Sequence, residues 1–424
     1  MKIHFYRIGR INMTHFIQTG ICLCGVFAVF LGAGCAPTLQ ERQTAANKSI
    51  DLLQRSYFEE AEESATAVLT EDAENPYAAL VKAISLYKST MHQFFVDGRT
   101  VVIGAAVTRS INHDYLRMII TRTAENLTEV NQLLDIAASE PRISMELCVA
   151  CMNVDWNQDG GVDRRDTQLF EVELDAMDQS IPMDDPRRKP TFRLDHGDVI
   201  WAQAFVSFHL AVLNLAAAYD YSDINPAMLM RGGDPIFVIR LKHPEKVLEA
   251  QKLIQDGLRY SLAARDAYLA ETDDDREWLP NPRQRNHPIP LEVNDAFYET
   301  WKLVVEDLQK IVSGEESLSV SEMAQLGDHQ WEHPPQGYIN VGKLFANAKD
   351  VVIDVARLED AFDEMEHGRS AQDVERMLEF VFGFCYVKHA QASPLLQRME
   401  RMKGEVEKGQ ESIERKLKYL LWVN

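Results

Sequence analysis

Asp195-His196-Gly197-Asp198-Val199-Ile200-Trp201-Ala202-Gln203-Ala204-Phe205-Val206-Ser207-Phe208-His209-Leu210-Ala211-Val212-Leu213-Asn214-Leu215-Ala216-Ala217-Ala218-Tyr219 is the stretch on which the architecture turns. From Val199 onward hydrophobic residues fall on nearly every side of a 3.6-residue period, which predicts a helix buried at the centre of the fold rather than one lying on its surface. Asp195 or Asp198 stands where a side-chain oxygen caps the first free amides of such a helix. His196 and His209 could serve as proton-transfer groups, but neither has a nucleophile or partner at a recognisable spacing, so both read as structural histidines.

Helical patterns extend outward in both directions. Upstream, residues 49–56, 57–70 and 75–95 read as three consecutive helices, and 112–139 as a long amphipathic one with Leu127, Val130, Leu133 and Leu134 on one side. Downstream, 244–271, 293–313, 344–366, 371–392 and 395–422 continue the pattern, with a stop at Gly314. Residues 223–242 interrupt it: Gly232-Gly233 precede Ile236-Phe237-Val238-Ile239, a short strand or an apolar lid. The proline-rich run 278–291 must be extended, and is expected to wrap the surface. The fold class expected is all-α: an irregular bundle or helical array, with long Pro-rich loops and one helix–loop–helix hairpin.

That hairpin is centred on Asp155-Trp156-Asn157-Gln158-Asp159-Gly160-Gly161-Val162-Asp163-Arg164-Arg165-Asp166. Oxygen donors at loop positions 1, 3, 5, 7, 9 and 12, with glycine at 6, are the pattern of an EF-hand calcium loop. Here they are Asp155, Asn157, Asp159, the Gly161 carbonyl, Asp163 and Asp166. Hard oxygens suit Ca²⁺ and offer little to zinc or copper. Val162 at position 8 is expected to turn into the core, and Asp166 in place of the usual Glu shortens the reach at position 12. Met145, Cys148, Val149 and Met152 give the entering helix its spacing, and Leu169, Val172 and Ala176 the exiting one. The Asp at position 12 resembles dockerin loops, but no second loop is present, which argues against a dockerin module.

The first 34 residues read as an export signal. Lys2, Arg7 and Arg10 precede an apolar run over 17–31, too short to span a bilayer comfortably. Leu31-Gly32-Ala33-Gly34-Cys35 resembles the lipobox of bacterial lipoproteins, which makes Cys35 the expected lipidation site. Ala36 follows without an acidic retention signal, pointing to the outer membrane, and residues 35–47 read as a tether. Cys148 and Cys151 form a CxxC inside the expected entering helix, without a second pair to complete a zinc site, so buried packing is the expectation. Export would permit a disulfide, but the spacing does not establish one.

With 424 residues the chain can build one to three domains, and residues 48–424 are expected to form a single helical one. A net charge of −21 repels nucleic acid and excludes DNA or RNA as a partner. Ile50, Leu53, Tyr57, Ala61, Ala65, Leu69, Asn75 and Ala79 resemble a tetratricopeptide repeat, placing one such unit at 48–110. The loop 155–166, the run Phe192-Arg193-Leu194-Asp195-His196-Gly197-Asp198-Val199-Ile200-Trp201 and Asn281-Pro282-Arg283-Gln284 together resemble an uncharacterised family of bacterial proteins. The resemblance implies architecture and a metal loop but no reaction. The function expected is a lipid-anchored, calcium-stabilised scaffold of the cell envelope that binds another protein, since repeat-like surfaces suit peptides and helices. The alternatives are an envelope hydrolase with its site under the Pro-rich loops, drawing on His196, Asp198, His287 and His333, or a calcium-dependent sensor. No nucleophile elbow, zinc-protease, P-loop or dinucleotide motif supports an enzyme.

Overall fold

The computed structural model describes residues 37–108, 111–156, 159–163, 166, 185–220, 238–287, 293–326, 336–347, 352–354, 379 and 383–399. By its own contacts the chain divides into Met1–Ala45 and Ala46–Asn424. In the first unit Thr38 and Glu41 form a reciprocal cap: the Glu41 amide donates to Thr38 Oγ1 at 3.3 Å and the Thr38 amide to Glu41 Oε2 at 2.7 Å. This cap starts helix α1 (Leu39–Gln54) about ten residues before the expected helix, so most of the expected tether is helical.

The second unit is predominantly helical, as expected. After α1 come α2 (Phe58–Glu71), α3 (Pro76–Thr108), α4 (His113–Ala138), α5 (His196–Ala218), α6 (Pro244–Ala270) and α7 (Asp295–Ser313), then the short α8 (Val320–Leu326) and α9 (Val341–Ala346). Each of α2 to α7 packs on its neighbour in sequence, and the α5–α6 contact is the most extensive. Asn75 caps α3 by accepting the Ala78 amide at 3.0 Å, and Asn112 caps α4 by accepting that of Tyr115 at 3.0 Å. α3 outruns its expected end at Phe95 although 96–108 is rich in glycine and β-branched residues. Packing overrides that weak propensity: Asp97, buried in α3, accepts the Tyr115 hydroxyl at 2.8 Å and pairs with Arg122, both from α4.

The all-α expectation needs correction, because three small antiparallel sheets join the helices among the described residues. β1 (Ser144–Leu147) pairs with β2 (Phe192–Asp195) in the register Ser144↔Asp195 to Leu147↔Phe192. β3 (Tyr219–Asp220), β4 (Val238–Leu241) and β7 (Val352–Asp354) form the second sheet, with β4 in the middle. β5 (Leu318–Ser319), β6 (Tyr338–Ile339) and β8 (Tyr386–Val387) form the third. The expected helix over 344–366 is therefore broken by β7, and that over 371–392 ends in β8. Most of the remaining C-terminal helices fall outside the described residues.

α5 is the central helix that the sequence predicts. It is the one helix among the described residues long and apolar enough to cross a membrane by composition, yet 56% of that apolar window is buried inside the protein. α6 runs back along it so closely that two glycines are required. A Cβ on Gly257 would come within 2.7 Å of the Phe208 ring, and one on Gly197 within 2.7 Å of the Tyr268 ring. Ala218, Val247, Leu258, Val305, Val312 and Phe345 form the core shared by α5, α6, α7 and α9. Trp301 of α7 crosses Trp201 of α5 edge-on at 5.5 Å and donates its indole N–H to Ser261 of α6 at 2.8 Å. α7 ends at Gly314, whose φ of +85° lies in the left-handed region that glycine adopts without strain.

Candidate metal centre

Two places gather oxygen ligands. The first is the loop 155–166. Its entering segment is not the expected helix: β1 leads into a 3-10 turn, Val149–Cys151. Four residues of alternating burial, with Met145 and Leu147 inside, satisfy a strand as well as they satisfy a fragment of helix. Cys148 and Cys151 close a disulfide across that turn, where packing of free thiols was the expectation. The exiting helix falls outside the described residues apart from Asp166, as does Asn157.

Within the loop, the Asp155 carboxylate accepts the amides of Asp159 at 3.2 Å and Gly160 at 3.0 Å. Gly160 turns the chain at φ +101°. Asp166 is buried, and its side chain accepts the Asp163 amide at 2.9 Å. Asp159, Gly161 and Asp163 are exposed. Val162 does not enter the core; it is 49% exposed. Trp156 anchors the loop instead, set edge-on against His92 and Phe95, while the His92 imidazole meets the Asp155 carbonyl at 2.9 Å. The described part of the loop turns about Asp155, but its described carboxylates do not converge on one point. Cys35 lies outside the described residues.

The second place is where three carboxylates do converge. Asp195, Glu271 and Glu277 bring one oxygen each within 4.8 Å of one another. Asp195 ends β2 and caps α5, accepting the Gly197 amide at 3.0 Å. Asp198 completes the capping box by accepting the Asp195 amide at 2.9 Å, and its other oxygen accepts the Tyr268 hydroxyl at 2.9 Å. Both candidate caps are therefore used. Glu271 follows the last turn of α6, where the antiparallel packing brings it to the start of α5. Glu277 reaches the site because its strand-like segment bridges Arg193 in parallel, extending the β1–β2 hairpin.

Residues 277–287 roof the cluster and do not wrap the surface as expected. Trp278, Asn281 and Gln284 are each at most 3% exposed. Asn281 Nδ2 donates to the Tyr268 carbonyl at 2.9 Å and the Glu271 carbonyl at 3.2 Å, capping the end of α6. Gln284 donates to the Asp273 carbonyl at 2.9 Å and to Glu271 Oε2 at 3.4 Å. These bonds let a proline-rich segment lie inside, because its polar groups find partners there. Arg193 is the cation of the site, pairing with Asp273 and lying 3.8 Å from Glu277.

Burial and mutual repulsion disfavour the charged forms here. Loss of hydration, then the charges of Asp195 and Asp198, push Glu271 up to about 10. Burial followed by the Asp195 charge raises Asp198 well above the carboxylate range. Asp195 and Glu277 are raised by burial, against the opposing pull of hydrogen bonds and Arg193. A hydrogen bond between the Glu271 and Asp195 side chains helps keep the proton on Glu271. Such a cluster can keep protons on its carboxyls, or it can hold a divalent cation among hard oxygens.

Two tests follow. A carboxyl raised in the folded state keeps its proton where the unfolded chain has lost it, so stability falls as pH rises between the two values. For Glu271 that window runs from 4.5 to about 10. In chelator, the unfolding free energy from urea titrations should decline from pH 5 to pH 9, and Glu271→Gln should flatten the slope by up to one proton. An unchanged slope in the variant would refute the assignment. Gly197→Ala, which drives a methyl into the buried Tyr268 ring, should destabilise by about 1–3 kcal/mol.

His196 is held by the Ala138 carbonyl at 3.0 Å, and His333 lies outside the described residues. Glu271, Glu277 and Tyr268 carry no sequence signal of their own. Asn281-Pro282-Arg283-Gln284 and Asp195-His196-Gly197-Asp198 are stretches that carry the resemblance stated above, and they meet here. No family model matches this chain, and neither a curated protein nor a solved structure matches it.

Proposed function

We propose that the chain is a calcium-stabilised helical scaffold that binds another protein. In this reading it is held in the bacterial cell envelope by a lipid on Cys35, at the outer membrane and facing the periplasm. The carrying observation is the loop turn in which Asp155 gathers the amides of Asp159 and Gly160 about a left-handed glycine. In this reading the ligand set is Asp155, Asn157, Asp159, the Gly161 carbonyl, Asp163 and Asp166, and the turn supports it at Asp155. The Cys148–Cys151 disulfide is compatible with an oxidising, exported location. Helices that each pack on the next support the reading of a tetratricopeptide-like array, whose surface would suit a peptide or a partner helix.

Thermal melting in chelator, Ca²⁺ and Mg²⁺ tests the metal. At about a hundred times its dissociation constant, calcium should add about 2.7 kcal/mol. The gain should vanish in Asp155→Ala/Asp159→Ala and survive in Glu271→Gln. The reverse pattern would move the cation to the carboxylate cluster, and no gain in any protein would remove calcium from the proposal. Cys35→Ala should release the chain from the membrane fraction. A cross-linked partner that is lost when charges are placed on α2 and α3 would support the scaffold.

The second reading, an envelope hydrolase, draws on one observation: Asp198 and the high-pKa Glu271 lie beneath the proline-bearing segment 278–287. Loss of a turnover in Glu271→Gln, with melting unchanged, would favour it.

A further inference from the structure

Between α3, α4, α5 and the β1–β2 hairpin lies a cavity of about 110 Å³. Its walls are almost wholly apolar, with Leu134, Leu147, Phe205 and Trp278 among them. Two charged residues reach the lining, Lys88 from α3 and Asp198 from α5. They are not equivalent. Both Asp198 oxygens are engaged, one by the Tyr268 hydroxyl and the other by the Asp195 amide. Lys88 brings an ammonium with three donor hydrogens.

Lysine is an expensive residue to keep at such a place. It is 8% exposed, and loss of hydration brings its ammonium down to about 8. Leucine or methionine would fill the same volume without burying a charge. The cavity therefore combines the two features that recognise an amphipathic anion: an apolar chamber and a cationic residue at its wall.

We propose that this chamber binds a small apolar monocarboxylic acid, its hydrocarbon part among Leu134, Leu147, Phe205 and Trp278 and its carboxylate on Lys88 Nζ. Size sets the class. An apolar cavity of about 150 Å³ accommodates benzene, so a chamber of about 110 Å³ takes a chain of roughly four or five carbons. A charge-assisted N–H to carboxylate bond in a site screened from water supplies selectivity over the neutral alcohol of the same length.

Calorimetric titration of the full chain with pentanoate, 1-pentanol and acetate tests this. Pentanoate should bind saturably at one site per chain. Pentanol, which lacks the charge, and acetate, which lacks the chain, should each bind at least tenfold more weakly. Lys88→Met should cost pentanoate at least tenfold while leaving pentanol unchanged. Ala202→Phe, which fills the chamber from α5, should abolish binding of both. Pentanol binding as tightly as pentanoate would show a plain packing void and overturn the proposal. So would the absence of pentanoate binding to protein that circular dichroism shows to be folded. The ligand series on the unmodified chain decides the matter even where a variant does not fold.

Discussion

Phe192→Ala should lower the unfolding free energy by about 3–5 kcal/mol, the usual cost of emptying a fully enclosed aromatic site. Phe192 has no exposed surface, stacks at 4.8 Å on Trp278 and sits across the strand pair from buried Leu147. The void would open between the hairpin and the roof of the carboxylate cluster, so relaxation has little room to recover the loss. Phe192→Leu keeps most of the volume and should cost less than half as much. Urea unfolding followed by tryptophan fluorescence and by far-ultraviolet circular dichroism would measure both. A cost below about 1 kcal/mol for the alanine variant would mean that the hairpin is not part of the cooperative core.

The second large effect is expected at Asn281. Its amide donates to the two carbonyls that end α6, its oxygen accepts the Arg283 amide at 3.0 Å, and its own backbone N–H donates to Gln284 Oε1 at 2.6 Å. Asn281→Ala removes three side-chain hydrogen bonds at a position 1% exposed, while the Tyr268 carbonyl keeps the Glu271 amide at 3.3 Å and the Glu271 carbonyl keeps the Arg283 guanidinium at 3.1 Å. At about 1 kcal/mol for each lost bond, the loss should reach about 3 kcal/mol. Asn281→Asp separates geometry from charge: it keeps the acceptor, loses the donors and adds an anion near Glu271. It should be the worse variant at pH 8 and should approach the alanine variant at pH 5. Melting curves at the two pH values give the answer. Equal melting of both variants at both values would show that Asn281 does not couple to the carboxyls.

These positions mark the limits of reading the chain alone. α5, its capping pair and the order of the major helices follow from periodicity and capping chemistry, which are local in sequence and survive folding. The entering arm of the loop did not, because Met145, Cys148, Val149 and Met152 fit a helical period by coincidence within too few residues. Glu271-Thr272-Asp273-Asp274-Asp275-Arg276-Glu277 looks like a solvated acidic turn. Only the antiparallel return of α6 along α5 and the pairing of Glu277 with Arg193 bury its two ends. The proline-rich run misled for a related reason: proline predicts an extended backbone but not where it lies, and Asn281 and Gln284 decide that. The loop ligands could be proposed from spacing because all of them fall within twelve residues, whereas the cluster joins segments more than seventy residues apart.

The next-neighbour packing of α2 through α7 also bears on how the chain reaches its fold. When each helix is covered by the one that follows it, contacts close over short stretches of chain and little loop entropy is lost at any step. Assembly of α2 to α7 can then proceed in the order of synthesis, each helix docking on the one before it. The parallel bridge between Arg193 and Glu277 cannot form until α5 and α6 are both in place, and the pairings of β4 with β7 and of β6 with β8 wait for still later segments. Closing the roof over the carboxylates is thus a late event, and until then those side chains stand in water and exchange protons or ions freely.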